Sequence, residues 1–406
     1  MSPAGAARVS SPAGPISDSK IRGTSIPFPD GVATVVSLDQ LRDLDAWKLA
    51  FRNRCKDRRY YEIIKETLGP EFEHLYLVLQ DRDGTVRAIQ PFFLVRQNLL
   101  EGVPGIIRSS ADVVRRLFPR FLTMRALMVG CAAGEGHLDS RSPGDEIWVA
   151  AALHACLKIC ARQNKASLVV LKDFPSIYRN ALQVFPSDGY ARVPSMPMTR
   201  LALGYRDFED YLNSLSKATR KDLRRKFRKI ANVAPIELQV VTDITPWIEE
   251  AYPLYLQVHN RSPLKFETLT KGYFCSLGRR MPERTRFFIW RQNSRIVSFS
   301  CCFIHEEALY DDCIGLDYSV ALQLHLYFYT LRDVISWSLA EGLKFYFSNP
   351  LNYDPKLHLG CELAPLDLYV MHTLSALNPV FLVALKFLGP TRHDPVLRKF
   401  PNADQL

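Results

Sequence analysis

The chain has 406 residues, 47% of them apolar and 23% charged, with 52 Lys and Arg against 42 Asp and Glu for a formal net charge of +10. The length fits two domains with a core each, and the composition is that of an ordinary globular protein. The nine cysteines form no CxxC pair and no paired metal-ligand spacing, and an odd count fits a reducing cytosol, so a cytoplasmic protein without a bound metal is expected.

Met1–Asp30 is rich in Ser, Pro, Ala and Gly, contains Ser-Pro-Ala-Gly twice and lacks the apolar stretch of a secretory signal; it reads as a disordered tail. Gly31–Leu38 alternates like a strand. Asp39–Phe51 and Tyr60–Leu68 carry helical patterns, and Glu73–Gln80 and Val86–Arg96 read as paired strands turning at Asp81–Gly84. Ile147–Gln163 is a strongly apolar helix. A strand at Ser167–Leu171, a short helix near Tyr178–Val184 and strands at Tyr190–Val193 and Met198–Leu203 follow it. The loop Gly130–Gly136 contains three glycines, but Glu135 within it argues against a phosphate nest. Together these elements give a first domain, 31–204.

A basic stretch opens the second domain, 205–390. From Lys217 to Lys229 eight Lys or Arg stand against one acid, Asp222, so most of the net charge is local. Leu223, Phe227 and Ile230 recur at i, i+4 and i+7. One side of a helix over 217–230 can therefore dock on a core, leaving a cationic remainder able to hold phosphate or carboxylate groups. Ser216 or Thr219 can cap its start. Beyond it come a strand at Ile236–Val241, helices at Pro246–His259 and Leu269–Leu277, and paired strands at Arg286–Trp290 and Arg295–Ile304 turning at Gln292–Ser294. Then follow a strand at Ala308–Leu316, a long helix at Leu322–Glu341, a strand at Lys344–Phe347, a connector at Tyr353–Leu359 and a strand at Leu366–Met371. Leu374–Leu388 is apolar but broken by Pro379 and shorter than the roughly 20 residues of a bilayer span. It reads as a docking helix, with peripheral membrane contact as the alternative, and 391–406 as a C-terminal tail.

The halves repeat one order: strand, two helices, an antiparallel run of strands, helix, strand, helix, strand. A duplicated α/β (α+β) unit accounts for the length. Three stretches carry a family signal. One is Leu212-x-x-Leu215-Ser216 with Arg220-Lys221-x-Leu223-Arg224-Arg225 and Arg228-Lys229; the others are Tyr310…Gly315-x-Asp317 and Tyr353-x-x-Lys356-x-x-x-Gly360. With the element order, they make the chain similar to the FemAB-related, BioF2-like branch of the GNAT N-acyltransferase superfamily across nearly its whole length. The resemblance implies tandem GNAT-like domains, each a mixed, mostly antiparallel sheet flanked by helices. The chain departs from the superfamily where a Gln/Arg-x-x-Gly-x-Gly/Ala phosphate signature would precede the helix at Leu322; it reads Gly315-Leu-Asp-Tyr-Ser-Val-Ala. The coiled-coil insertion of the tRNA-dependent Fem ligases is not visible.

Acyl transfer to an amine needs a neutral amine, a polarised carbonyl and a hold on the donor's phosphates. Asp311, Asp312 or Asp317, at the edge of an apolar strand, is a candidate base, with Tyr310 as a proton donor. Asp311 and Asp312 face opposite ways on a strand, so only one is expected to look into a cleft, and Asp317 is equally a helix cap. The donor's phosphates are assigned to Lys217, Arg220, Lys221, Arg224 and Arg225, and to the helix start near Ser319. Lys356 and Tyr353 are candidate substrate contacts on the strength of the resemblance. His325 is weighed as a substrate contact against a plain core histidine. No G-x-S-x-G, H-E-x-x-H or P-loop occurs. The expectation is an N-acyltransferase using acyl-CoA as co-substrate and a small amine acceptor, without DNA. The alternatives are an aminoacyl-tRNA-dependent transferase acting on a peptide or cell-wall precursor, and a non-catalytic protein binding nucleic acid or an anionic membrane.

Overall fold

The computed structural model describes residues 23–98, 123–142, 144–231, 235–385 and 389–406. In the first half lie β1 (Thr24–Phe28), β2 (Gly31–Val36), α1 (Leu38–Leu41), α2 (Asp45–Leu49), α3 (Arg58–Thr67), β3 (Glu73–Asp81), β4 (Val86–Asn98) and β5 (Thr123–Val129). They are followed by α4 (Asp145–Gln163), β6 (Leu168–Pro175), β7 (Ala191–Pro194) and β8 (Met198–Ala202). The second half contains α5 (Phe208–Ser214), α6 (Lys217–Ala231), β9 (Ile236–Val241), α7 (Ile248–Arg261), α8 (Lys271–Arg280), β10 (Thr285–Gln292), β11 (Arg295–His305) and β12 (Ala308–Leu316). It ends with α9 (Leu326–Ala340), β13 (Phe345–Ser348), α10 (Tyr353–His358), β14 (Glu362–Ala364), β15 (Leu366–His372), α11 (Asn378–Leu385) and α12 (Pro390–His393).

Two mixed sheets result. One has the order β1-β2-β3-β4-β5-β6-β15-β7 and the other β14-β8-β13-β12-β11-β10-β9. Each contains one parallel pair, β5 with β6 and β12 with β13, among antiparallel neighbours. Turn chemistry explains the long hairpins. β3 and β4 meet at Gly84, at φ 79°, and β10 and β11 at Asn293 and Ser294, at φ 51° and 64°, backbone that Gly and Asn accept most readily.

Strand alternation sorts the chain into layers. Phe287 and Ile289 of β10 join an apolar layer between the two sheets, while Phe288 and Trp290 face the outer side covered by α9. The middle layer takes Tyr60 and Ile64 from α3, Leu254 from α7 and Tyr273 from α8, and it touches both sheets. α4 covers the far face of the first sheet with Leu153, Cys156, Leu157 and Cys160. The cysteines are unbridged, and all are buried except the half-buried Cys313.

The sheets do not follow the boundaries 31–204 and 205–390. β8 precedes residue 205 yet pairs with β13 and β14 in the second sheet; β15 follows it yet lies between β6 and β7 in the first. Of the stretch Met1–Asp30 expected as a disordered tail, residues 1–22 lie outside the described residues, and in the remainder Thr24–Phe28 is a strand that pairs with β2. Nor is 391–406 loose: Leu397 and Phe400 are buried against the second sheet's outer core, and the Asn402 side chain bonds both backbone groups of Leu363. In Leu374–Leu388, of which 386–388 lie outside the described residues, α11 packs Phe381, Leu382 and Leu385 on the middle layer, while Val383 on it and Leu374 and Leu377 before it are exposed. Among the described residues no helix is long and apolar enough to cross a membrane.

Candidate active site

β12 and β13 run side by side only from Ala308 opposite Phe345 to Asp311 opposite Ser348. There β13 stops and the chain turns away towards α10, while β12 continues for five residues with that edge unpaired. A cleft of about 750 Å³ opens at this fork. Its walls are the free edge of β12, the segment from Ser348 to Lys356, the last turns of α7, the α7–α8 loop and Gly134 from the first half.

A β-bulge shapes the fork. Cys301 of β11 faces Cys313 and Cys302 faces Asp311, which leaves Asp312 as the extra residue. Asp311 receives hydrogen bonds from the Ser300 hydroxyl (2.6 Å) and the Tyr346 hydroxyl (2.8 Å), on the α9 side. Asp312 receives one from the Lys56 ammonium (2.9 Å), on the middle-layer side. The two carboxylates therefore do face opposite ways, but both border the cleft, because a strand edge without a partner lets one cavity reach round it. Burial raises the Asp311 pKa above the usual carboxylate range despite its two donors.

Lys56 was not singled out in the sequence. Only 3% of its side chain is exposed, and its ammonium also donates to Glu135 (3.0 Å) and sits 5.1 Å from the Tyr60 ring centroid. Burial works to lower its pKa, but the two carboxylates overcome that and hold it well above the ordinary lysine value; Glu135 is held well below its own. Glu135 belongs to the glycine loop, whose acid has its use as an inward anchor for this cation. The Lys56–Asp312 contact spans 256 positions, beyond the reach of any local sequence signal.

Lys356, a candidate substrate contact, stands at the fork, and its ammonium is bonded to the Asn349 and Leu351 carbonyls. Burial lowers its pKa to about 8, with Cys361 and Asp311 opposing. Glu267, from the α7–α8 loop, also lines the cleft and was missed. It sits in a weakly alternating stretch with no motif.

The other candidates lie elsewhere. Tyr353 is fully buried, and its hydroxyl is used on the Pro197 carbonyl (2.8 Å). Tyr310 stacks on Phe347 at 4.8 Å. Asp317 organises a turn: one carboxylate oxygen accepts from the Ser319 N–H and hydroxyl, and the other lies 2.8 Å from the Arg295 guanidinium. Ser319 is thereby engaged and stands seven residues before α9, so it is not at a helix start. His325 directly precedes α9 at φ 47° and is absent from the cleft wall.

α6 docks through Leu223 and Phe227, as its periodicity predicts, and Ser216 caps it with a bond from the Thr219 N–H (3.2 Å); the Ile230 side chain falls outside the described residues. Its cations do not line the cleft. Arg220 donates to the Asn213 and Leu215 carbonyls at the end of α5, Arg224 pairs with Glu209, and Arg225 pairs with Asp222 at the surface. Lys217 and Lys221 are exposed. The cations that do border the cleft are Lys356, Arg261, whose guanidinium lies 4.0 Å from the Tyr318 ring centroid, and Lys265. Among the described residues no group of three His, Cys, Asp or Glu is arranged to hold a metal.

Residues 131–348, more than half of the chain and including the glycine loop from Cys131 on, β12 and the start of the fork, match the model of the FemAB-like family, described as peptidoglycan biosynthesis/recognition. The chain belongs to the FemAB-like family. No curated protein matches it in sequence. Among solved structures it is similar to FemX, at 10% identity over 82% of this chain and 96% of that one, with a TM-score of 0.49. It is also similar to L-PGS from Bacillus licheniformis, at 11% identity over 83% and 97%, with a TM-score of 0.48. The N-myristoyltransferase of Saccharomyces cerevisiae aligns at 10% identity over 88% and 84%, with a TM-score of 0.45.

Proposed function

We propose that this FemAB-like protein is an N-acyltransferase that moves an acyl group from acyl-CoA to an amine acceptor in the fork cleft, by direct attack and without an acyl-enzyme intermediate. Family membership supports transfer of an acyl or aminoacyl group. The single observation that carries the reading is the parallel pair β12–β13 opening after Asp311 and Ser348 onto a cleft that holds carboxylates and the Lys356 ammonium together. A carboxylate serves to bring the acceptor amine to its neutral form; a fixed ammonium serves the negative charge that grows on the acyl oxygen. Counter-charge for the donor's phosphates falls to Arg261 and Lys265 rather than to α6.

The test is a thermal-shift titration with acetyl-CoA and longer acyl-CoAs, followed by amine-dependent release of free thiol. Stabilisation rising with donor concentration is expected; absence of both stabilisation and thiol release sinks this donor. A second reading, aminoacyl-tRNA as donor, is favoured by one fact. The cations of α6 lie outside the cleft, with the Arg225 side chain 75% exposed, which suits an extended polyanion better than a bound pyrophosphate. Steeply salt-dependent tRNA binding is its signature.

A further inference from the structure

The geometry points to Glu267 as the carboxylate that seats the acceptor's ammonium in the cleft and takes one of its protons, an inference that rests on the acyl-transfer reading above. Three cleft carboxylates already have donors from elsewhere in the chain: Asp311 from Ser300 and Tyr346, Asp312 from Lys56 and Asn349, and Asp394 from the Val396 N–H. Glu267 does not. Among the described residues no side chain donates to its carboxylate, and its hydrogen-bond support is its own backbone N–H. A half-buried anion without a side-chain donor is only partly compensated by solvent, and a ligand that brings a donor is favoured to bind there.

The loop that carries it is held firmly. The His259 ring lies 3.0 Å from the Glu267 carbonyl, and the Tyr255 hydroxyl accepts from the Leu269 N–H at 3.0 Å. Phe266 wedges against Phe72 and Phe93 of the first half. A carboxylate on such a support keeps its place when a ligand arrives. The charged groups that face it are Lys172 and Asp173 of β6 and Asp312 of β12, and burial with the two like charges outweighs Lys172, lifting its pKa to about 7. It is therefore suited to accept a proton near neutrality.

The step balances. The acceptor enters as an ammonium and gives one proton to Glu267. The freed nitrogen lone pair forms the bond to the acyl carbon, and the carbon–sulfur bond of the thioester breaks. The thiolate takes the second nitrogen proton, and Glu267 returns its own to solvent.

The test compares wild type with E267Q in two measurements. In the first, n-butylammonium chloride is titrated at pH 8 and thermal stability is followed. A concentration-dependent rise in Tm for wild type and none for E267Q supports the assignment; equal shifts, or none in wild type, overturn it. The second is the pH profile of amine-dependent thiol release from acetyl-CoA. An acid limb near pH 7 in wild type, with kcat down about 100-fold in E267Q at unchanged KM for acetyl-CoA, supports it. An unchanged profile in E267Q overturns the role of Glu267 and leaves the acyl-transfer reading intact. Wild type without thiol release from any acyl-CoA sinks the CoA donor instead, and the ammonium titration still decides on Glu267.

Discussion

The two sheets carry the same parallel strand pair and treat it in opposite ways. In the first, β5 ends at Val129 opposite Leu171, and the space beyond is filled by the glycine loop. The Gly130 N–H bonds the Pro91 carbonyl and the Gly136 N–H bonds the Asp173 carbonyl. A Cβ on Gly136 would fall 2.4 Å from the Lys172 carbonyl oxygen. In the second sheet the space beyond Asp311 and Ser348 is open. The sealed fork is not idle, because its loop sends Glu135 to Lys56 and so buttresses Asp312 on the wall of the open one. Of the two forks the second opens into a cleft, and what separates them is whether backbone fills the gap between diverging strands.

The largest effect expected is at the link between the forks. Lys56→Met leaves Glu135 and Asp312 buried without their cation, and a loss of about 3–5 kcal/mol in chemical denaturation is expected. Adding Glu135→Gln and Asp312→Asn recovers most of it. The pH dependence has a definite sign. Glu135 is held below its ordinary 4.5, so its contribution is present above that value and is lost as pH falls towards the folded-state value. The triple variant lacks this acid loss. Equal acid sensitivity in wild type and triple variant would mean that the glycine loop does not support the cleft electrostatically.

Lys356 sharpens the other side of the comparison: the sealed fork also holds a lysine, Lys172, but its ammonium is tied to the Gly134 carbonyl of the filling loop and to Asp173, and its pKa is raised where that of Lys356 is lowered by burial. Lys356→Met is expected to lower kcat about 100-fold, the scale of removing one donor to a developing oxyanion. Its pKa of about 8 places the alkaline limb of the rate there, because the ammonium is the working form. The stability linkage has the opposite sense. A lysine depressed in the fold binds fewer protons than the unfolded chain between about 8 and 10.5, so its contribution to stability rises with pH across that window. A kcat unchanged in Lys356→Met leaves the residue a structural tie to two carbonyls.

Sealing is tested by Gly136→Ala, which forces a methyl towards the Lys172 carbonyl and is expected to cost about 1–3 kcal/mol. Gly84→Ala, in open space at φ 79°, serves as the control that carries backbone strain alone.

Much of the fold was legible because local chemistry writes it. Alternation in β10 and β11, turn residues at Asn293–Ser294, and the Leu223 and Phe227 spacing of α6 all place their elements. The exchange of β8 and β15 between sheets was not, because both strands look like ordinary ends of their own half and pairing partners leave no mark in a single sequence. The site divides the same way. Asp311, Asp312 and Lys356, singled out from a strand edge and a motif, line the cleft. Lys56 and Glu267 were not, since what marks them is burial beside residues remote in the chain. Tyr353 and Asp317 show the converse error, in which side chains at motif positions are consumed by the Pro197 carbonyl and by a turn.

The smallest effect on stability is expected on the outer face of α6, where Lys217→Glu, Lys221→Glu and Arg225→Glu change exposed charges worth at most about 0.5 kcal/mol each. Their value lies in separating the donors. The acyl-CoA thermal shift is expected to stay as in wild type, since none of the three lines the cleft. If a tRNA is the donor, its binding falls and the dependence of log affinity on log salt flattens by roughly 0.7 for each lost contact to a single strand. Loss of acyl-CoA stabilisation in the same variant would join α6 to the open fork as a further wall, and the difference between the halves would then lie in a helix without a counterpart among the described residues of the first half as well as in the unfilled gap.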